Sequence, residues 1–179
     1  MHEPLLACLD VDYRADMAVA AGIWFRGWAV AQHEAQAVAG FSGVAGYEPG
    51  EFYRRELPCL LGVLREGPPA DIVIVDGYVS LGEGHPGLGA HLHEALDRKV
   101  PVVGVAKTAY RSATEAIEVR RGQSGAPLFV TAIGIDTALA AQQVRRMHGP
   151  YRVPALLRAV DQLARHAVPG QIRPVGSPG

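Results

Sequence analysis

At 179 residues the chain has the length of one compact domain, and with 49% hydrophobic and 20% charged residues it is neither disordered nor fibrous. A chain of this size buries about two-thirds of its unfolded surface, so folding requires neither a metal nor a disulfide. Seventeen basic residues against eighteen acidic ones, net −1, exclude a polybasic binder whose affinity comes from many phosphate contacts. The first predicted element, Leu5–Asp12, is a short apolar run ending in carboxylates, and it reads as a strand. Met17–Phe25 and Trp28–Val38 are rich in β-branched and aromatic residues and continue it as antiparallel strands, although the alanines of the former would also suit a helix.

A glycine-rich loop, Gly40–Gly50, leads to a helix over Phe52–Arg65, where Leu57, Leu60, Leu61 and Leu64 share a face and Pro58 is tolerated in the first turn. Asp71–Val75 is an uninterrupted apolar strand ending at Asp76–Gly77, Gly89–Arg98 a helix, and Val100–Ala106 a second apolar strand ending at Lys107. Strand, helix and strand of this kind predict a buried parallel pair. Ala113–Arg121 and Pro127–Ile135 follow as strands around the turn Gly122–Gly125. Asp136 then caps a helix to Met147, and Pro154 opens a last helix to about His166. The fold class expected is a mixed α/β sheet: three antiparallel strands, then parallel ones, with helices on both faces. Residues 1–167 form a single domain and 168–179, rich in proline and glycine, a loosely ordered tail.

Cys8 and Cys59 lie in apolar stretches and read as buried free thiols of a cytosolic protein. With no apolar run near the roughly 18 residues of a membrane span and no signal pattern, the expectation is a cytoplasmic protein without a membrane partner. The near-neutral total hides a gradient. Residues 1–50 hold six acids against Arg14 and Arg26, whereas residues 107–152 hold seven bases, Arg121 and Arg152 among them, against three acids. Segregation of this kind fits a cation pocket beside an anion-binding face, or ordinary scatter over a solvated surface.

Three acids stand out by position. Asp10 is at the end of the first strand, Asp76 ends the first parallel strand, and Glu56 lies in the helix between them. In open α/β sheets functional groups gather beyond the carboxyl ends of strands, and carboxylate oxygens suit a hard cation such as Mg²⁺. Equally, each acid could cap an element or stay solvated. Lys107 ends the neighbouring strand at the same edge, where an ammonium can hold a phosphate. No histidine pair has zinc-ligand spacing, and no serine-hydrolase elbow is present.

Together these segments resemble the endonuclease V family. Leu9-Asp10-Val11-Asp12-Tyr13 looks like its first strand motif. Tyr47-Glu48-Pro49-Gly50 through Arg55-Glu56-Leu57-Pro58 is similar to its Y-I-P-G…F-R-E-x-P stretch. Asp71–Gly77 resembles D-L-V-L-V-D-G, Val103–Lys107 matches V-G-V-A-K, and Pro127–Val130 and Gly149–Pro154 are similar to two further blocks. The resemblance implies a ribonuclease H-like fold and Mg²⁺-dependent hydrolysis, with Mn²⁺ as a substitute, of the phosphodiester 3′ to inosine, as in DNA repair. It assigns Asp10, Glu56, Asp76 and Lys107 to catalysis, the three acids also to the metal. Nucleic-acid contacts fall to Tyr47, Pro49 and Gly50 of a wedge loop, to Gly77, His85 and Gly89 around the flipped base, and to Arg152. The partner implied is DNA, or RNA, containing inosine, and a monomer is expected.

This chain departs from the family pattern at Gly46 and Glu48 in the wedge and in the spacing before His85. A histidine-bearing block is replaced by Thr131–Asp136. Asp136 is therefore a candidate fourth acid for the metal. The alternatives are a ribonuclease H-like nuclease of other specificity and a non-catalytic binding module that keeps the fold.

Overall fold

The structure, a computed structural model, describes residues 2–43, 52–168 and 171–174. Strands β1 (Leu5–Tyr13), β2 (Met17–Arg26), β3 (Ala35–Ser42), β4 (Ile72–Asp76), β5 (Val102–Ala106), β6 (Ile117–Val119), β7 (Leu128–Ile133) and β8 (Arg173–Pro174) form one sheet, in the order β6-β7-β5-β4-β1-β2-β3-β8. Pairs β1–β4 and β4–β5 are parallel; β1–β2, β2–β3, β5–β7 and β6–β7 are antiparallel. Among the described residues four helices cover the sheet: α1 (Phe52–Leu64), α2 (Leu88–Ala95), α3 (Thr137–Arg146) and α4 (Ala155–His166).

Alternation along the strands divides the core into two layers. Leu5, Ala7 and Leu9 of β1, with Val73 and Val75 of β4, face Cys59, Leu60 and Val63 of α1 and Leu88 and Leu92 of α2. Leu6 and Cys8, with Ile72, Ile74, Val103 and Val105, face Ala140 and Val144 of α3 and Leu156, Val160 and Ala164 of α4. Leu156, Val160 and Ala164 recur every fourth residue, which gives α4 one apolar stripe and leaves Asp161 at its flank. The mixed sheet with helices on both faces is the architecture the patterning predicts.

Several details differ from expectation. The third strand is Ala35–Ser42, not Trp28–Val38. Gly27, at φ +85°, reverses the chain, and Trp28 packs into the core from the turn that follows. Gly40 belongs to this strand, where it pairs with Val19, and a Cβ there would come within 2.5 Å of Ile172 and 2.6 Å of Met17. Of Ala113–Arg121 only Ile117–Val119 is strand, and α2 stops at Ala95, where Asp97 and Arg98 take positive φ. Pro58 lies in the second turn of α1, where it removes one intrahelical hydrogen bond. Among the described residues no helix is long and apolar enough to cross a membrane.

Candidate active site

Strand parity brings three of the predicted residues together. Asp10 continues the β1 series of Leu6 and Cys8, Asp76 that of Ile72 and Ile74, and Lys107 that of Val103 and Val105, so all three lie on the α4 side of the sheet. Leu9 pairs with Val75, and Asp76 with Val105, which sets the two aspartates level and Lys107 two residues further on. Lys107 Nζ stands 3.4 Å from Asp76 Oδ2 in a partly exposed ion pair. Gly104 allows the loop after β4 to turn here: a Cβ would meet the Gly77 carbonyl at 2.5 Å, and Gly77 itself has φ +130°.

Glu56 arrives from α1. Burial, then the charges of Asp10 and Asp76, pushes its carboxyl up to about 8, against the opposing effects of Tyr13 and Arg55. Burial and then Asp76 likewise push Asp10 up to about 7, although the Val11 amide donates to Asp10 Oδ1 at 2.9 Å. The Tyr13 hydroxyl is buried beside Glu56 without an aligned hydrogen-bond partner, and burial drives it well above the usual phenol range. The Arg55 guanidinium stacks on the Tyr13 ring, 3.6 Å from its centroid. Carboxylates forced together with so little compensating positive charge either keep a proton or gain from a bound cation.

A fourth acid is present, and sequence reasoning missed it. Asp161 of α4 comes within hydrogen-bonding reach of Asp10 and adds to its upward shift. Its only local signature is an i,i+4 pair with Arg165 at 3.1 Å, which resembles any solvated helix pair. Asp136 is not brought to this group. Its Oδ1 accepts from the Leu139 amide at 2.9 Å as the cap of α3. Because β7 runs antiparallel to β5, with Ile133 opposite Val102 and Phe129 opposite Ala106, Asp136 emerges at the far end of the sheet from Lys107. At about 3.3 Å per residue that is on the order of 15 Å away.

The donor set fits a hard divalent cation. It is all oxygen, and magnesium needs only one or two protein carboxylates, with water and substrate oxygens completing its shell. Among the described residues no group of three or more His, Cys, Asp and Glu side chains is already gathered to enclose an ion. The fit therefore rests on Asp10 and Asp76, with Glu56 and Asp161 beside them.

The remaining predicted contacts divide. Tyr47, Pro49 and Gly50 lie outside the described residues. His85 is exposed at a loop tip, its Nδ1 2.8 Å from the Glu83 carbonyl, and does not reach the carboxylates. The amides of Gly77 and Gly89 already donate to the Val105 and Tyr78 carbonyls, at 3.2 Å each, so they are not available to read a base edge. Arg152 directs its guanidinium at the carbonyls of Lys107 and Pro127 and braces the strand end that carries the lysine. Arg121, counted from sequence among the bases of an anion-binding face, is 6% exposed and bonded to main-chain carbonyls.

Two concavities meet at this cluster. A narrow crevice of about 20 Å³, room for little more than a water, is lined by Asp10, Asp76 and Lys107 over an apolar floor that includes Leu157 and Val160. Beside Asp76 a cavity of about 360 Å³ is walled by Phe52, Tyr53, Tyr78 and Tyr110 and by the backbone of Gly77 and Gly87. Tyr78 is held by its hydroxyl, which donates to the Thr108 carbonyl at 2.6 Å.

Metal-free protein should lose stability as pH rises. A carboxyl whose folded pKa is raised keeps a proton that the unfolded chain releases near pH 4, so the penalty grows from about pH 4 to about pH 8 and is absent below that window. For one such group it reaches about 5 kcal/mol at most. In chelator the melting temperature is expected to be higher at pH 5.5 than at pH 8, and added Mg²⁺ or Mn²⁺ is expected to restore it at pH 8. Thermal denaturation checks both.

The mixed sheet, with β1 next to β4 and carboxylates collected where those strands end, has the ribonuclease H-like fold. The Endonuclease V family model matches residues 2–142. The chain belongs to the endonuclease V family, a family of nucleases. Among similar solved structures, endonuclease V from Streptomyces avermitilis is 24% identical, with a TM-score of 0.74 over 91% of this chain and 83% of that one. Human endonuclease V is 21% identical, with a TM-score of 0.74 over the same shares. Ciona intestinalis endonuclease V, in complex with a 23mer DNA containing an inosine followed by a ribo-adenosine, is 15% identical, with a TM-score of 0.77 over 91% of this chain and 84% of that one. No curated protein sequence matches this chain.

Proposed function

We propose that this protein is a metal-dependent endonuclease that hydrolyses the phosphodiester on the 3′ side of a deaminated purine, inosine in DNA, in the manner of a repair enzyme. One observation carries the reading: Asp10, Glu56, Asp76 and Lys107, supplied by four separate segments, converge beside an aromatic-walled cavity large enough for a base. Family membership and the inosine-containing DNA held by the Ciona intestinalis relative support it.

Asp10 and Asp76 would hold the divalent cation, with Glu56 and Asp161 completing the oxygen set. When bound, the cation supplies activation of water and stabilisation of the departing oxygen. Lys107, aimed by its pair with Asp76, places an ammonium against a non-bridging phosphate oxygen. Glu56 beside Tyr13 is positioned to orient the attacking water and accept its proton, a role that a carboxyl lifted toward neutrality suits. A base turned out of its stack enters between Tyr53, Tyr78 and Tyr110, and turning it out costs least at a deaminated or mismatched site.

The test is cleavage of labelled single- and double-stranded DNA and RNA, with or without one inosine, in Mg²⁺, Mn²⁺ or chelator. The expected result is metal-dependent cutting next to inosine. Cutting that ignores inosine leaves a general ribonuclease H-like nuclease, and no metal-dependent cutting of any strand leaves a non-catalytic binding module.

A further inference from the structure

We propose that the groove between Lys107 and α4 is a binding subsite for the nucleotides that follow the scissile phosphate, with Tyr151 as the stacking platform for a base and Arg158 as a phosphate contact. This rests on the nuclease reading above and extends it to the strand on the far side of the cut.

The groove holds about 310 Å³ and is lined by Lys107, Tyr151, Arg152, Val153, Arg158 and Asp161. It shares Lys107 and Asp161 with the carboxylate site, so the two are continuous. The aromatic-walled cavity begins at Asp76 on the opposite side, and Asp76 and Lys107 are only 3.4 Å apart. A strand whose base occupies that cavity and whose phosphate meets the Asp76–Lys107 pair therefore leaves through the groove. Cleavage 3′ to the base makes the departing portion the 3′ side.

The chemistry of the groove suits a nucleotide. Tyr151 is 65% exposed, yet the segment carrying it is rigidly held. Arg121 donates to the carbonyls of Arg145 at 3.3 Å, Met147 at 2.5 Å, Gly149 at 3.1 Å, Tyr151 at 2.7 Å and Arg152 at 3.2 Å. Arg152 then ties the same segment to the Lys107 carbonyl. Burying a guanidinium to immobilise a surface loop leaves an exposed ring already ordered, which lowers the entropic cost of stacking a base on it. Arg158 is exposed, and among the described residues its guanidinium has no hydrogen-bond or ion-pair partner. Asp161 is the one acid in the lining and is paired with Arg165. A flat ring flanked by cations fits a base with its phosphate better than it fits an acidic peptide.

Fluorescence anisotropy in chelator tests this with two labelled single-stranded oligonucleotides containing deoxyinosine, one ending a single nucleotide after it and one continuing for five more. For the longer one, Tyr151→Ala should weaken binding about tenfold and Tyr151→Trp should not. Arg158→Ala should reduce the slope of log affinity against log salt by about 0.7, the share of one phosphate contact. Affinity for the shorter one should stay unchanged. Unchanged affinity for the longer oligonucleotide in both alanine variants overturns the proposal, as does an equal loss for the shorter one, which marks a structural effect. If an acidic peptide competes with the longer oligonucleotide for the parent protein and the shorter one competes equally, the groove is a peptide site and the proposal falls. If the parent cuts no strand in any metal while Tyr151→Ala still loses affinity selectively, the nuclease reading fails and the subsite stands. If cleavage is inosine-directed and both variants keep the parent KM on long substrates, the subsite fails and the nuclease reading stands.

Discussion

Asp10→Asn is expected to reduce metal-dependent cleavage about a thousandfold or more, and at the same time to raise the melting temperature of the metal-free protein at pH 8. The loss follows from the proposed mechanism: there the Asp10 carboxylate, at the centre of the acidic group, would hold the cation, and groups acting as a unit in catalysis fail together when one is removed. The gain in stability follows from the same geometry. Burial and Asp76 both disfavour the charged form of Asp10, so an uncharged isostere removes a repulsion that otherwise persists at pH 8 in the absence of a cation. At pH 5.5, where Asp10 is largely protonated in the folded state, the stability difference between variant and parent should shrink. Single-turnover cleavage and thermal melting in chelator, at both pH values, check the pair of effects. A variant that loses activity and stability together would show Asp10 to be structural.

Arg121→Met is expected to destabilise the protein by about 4 kcal/mol, since five carbonyls lose their donor and charged hydrogen bonds contribute about 1.5–3 kcal/mol each before relaxation and hydration offset part of the loss. For a chain of this length that corresponds to a fall in melting temperature of about 12 °C. Arg121→Lys should recover little of it, because one ammonium with three donors cannot span the positions served by a planar guanidinium. Urea denaturation measures the stability. Cleavage measured well below the melting temperature should also fall, because the segment released by Arg121 carries Arg152, which braces the backbone of Lys107.

Much of the fold and half of the site were legible in the chain, for identifiable reasons. Ile72–Val75 and Val102–Ala106 are uninterrupted apolar runs, which only strands buried on both faces require, and each stops at a charged residue. Asp76 and Lys107 could therefore be placed at one edge before any coordinates. Gly40 and Trp28 misled because their places depend on what packs on them, Ile172 and Met17 against the glycine and the core around the tryptophan, and neither neighbour is local in sequence. Asp161 and Arg165, four residues apart, have the spacing of an ordinary solvated pair. Arg121, in a basic stretch, resembles a surface arginine, and its partners lie 24 to 31 residues away.

Seventeen bases nearly cancel eighteen acids over the whole chain, yet the fold gathers acids at one edge of the sheet. The chain by itself determined which strands are buried and that they end in Asp10, Asp76 and Lys107, because hydrophobic periodicity and its interruption are local properties. Only the tertiary structure decided that Asp161 and not Asp136 joins them, since that depends on β7 running antiparallel to β5 and on which flank α4 turns toward the sheet. It likewise turned two of the seven bases inward, as Arg121 and Arg152 found carbonyls to satisfy within the fold. Strand direction and helix rotation are settled by packing between segments far apart in the chain, and no local pattern encodes them.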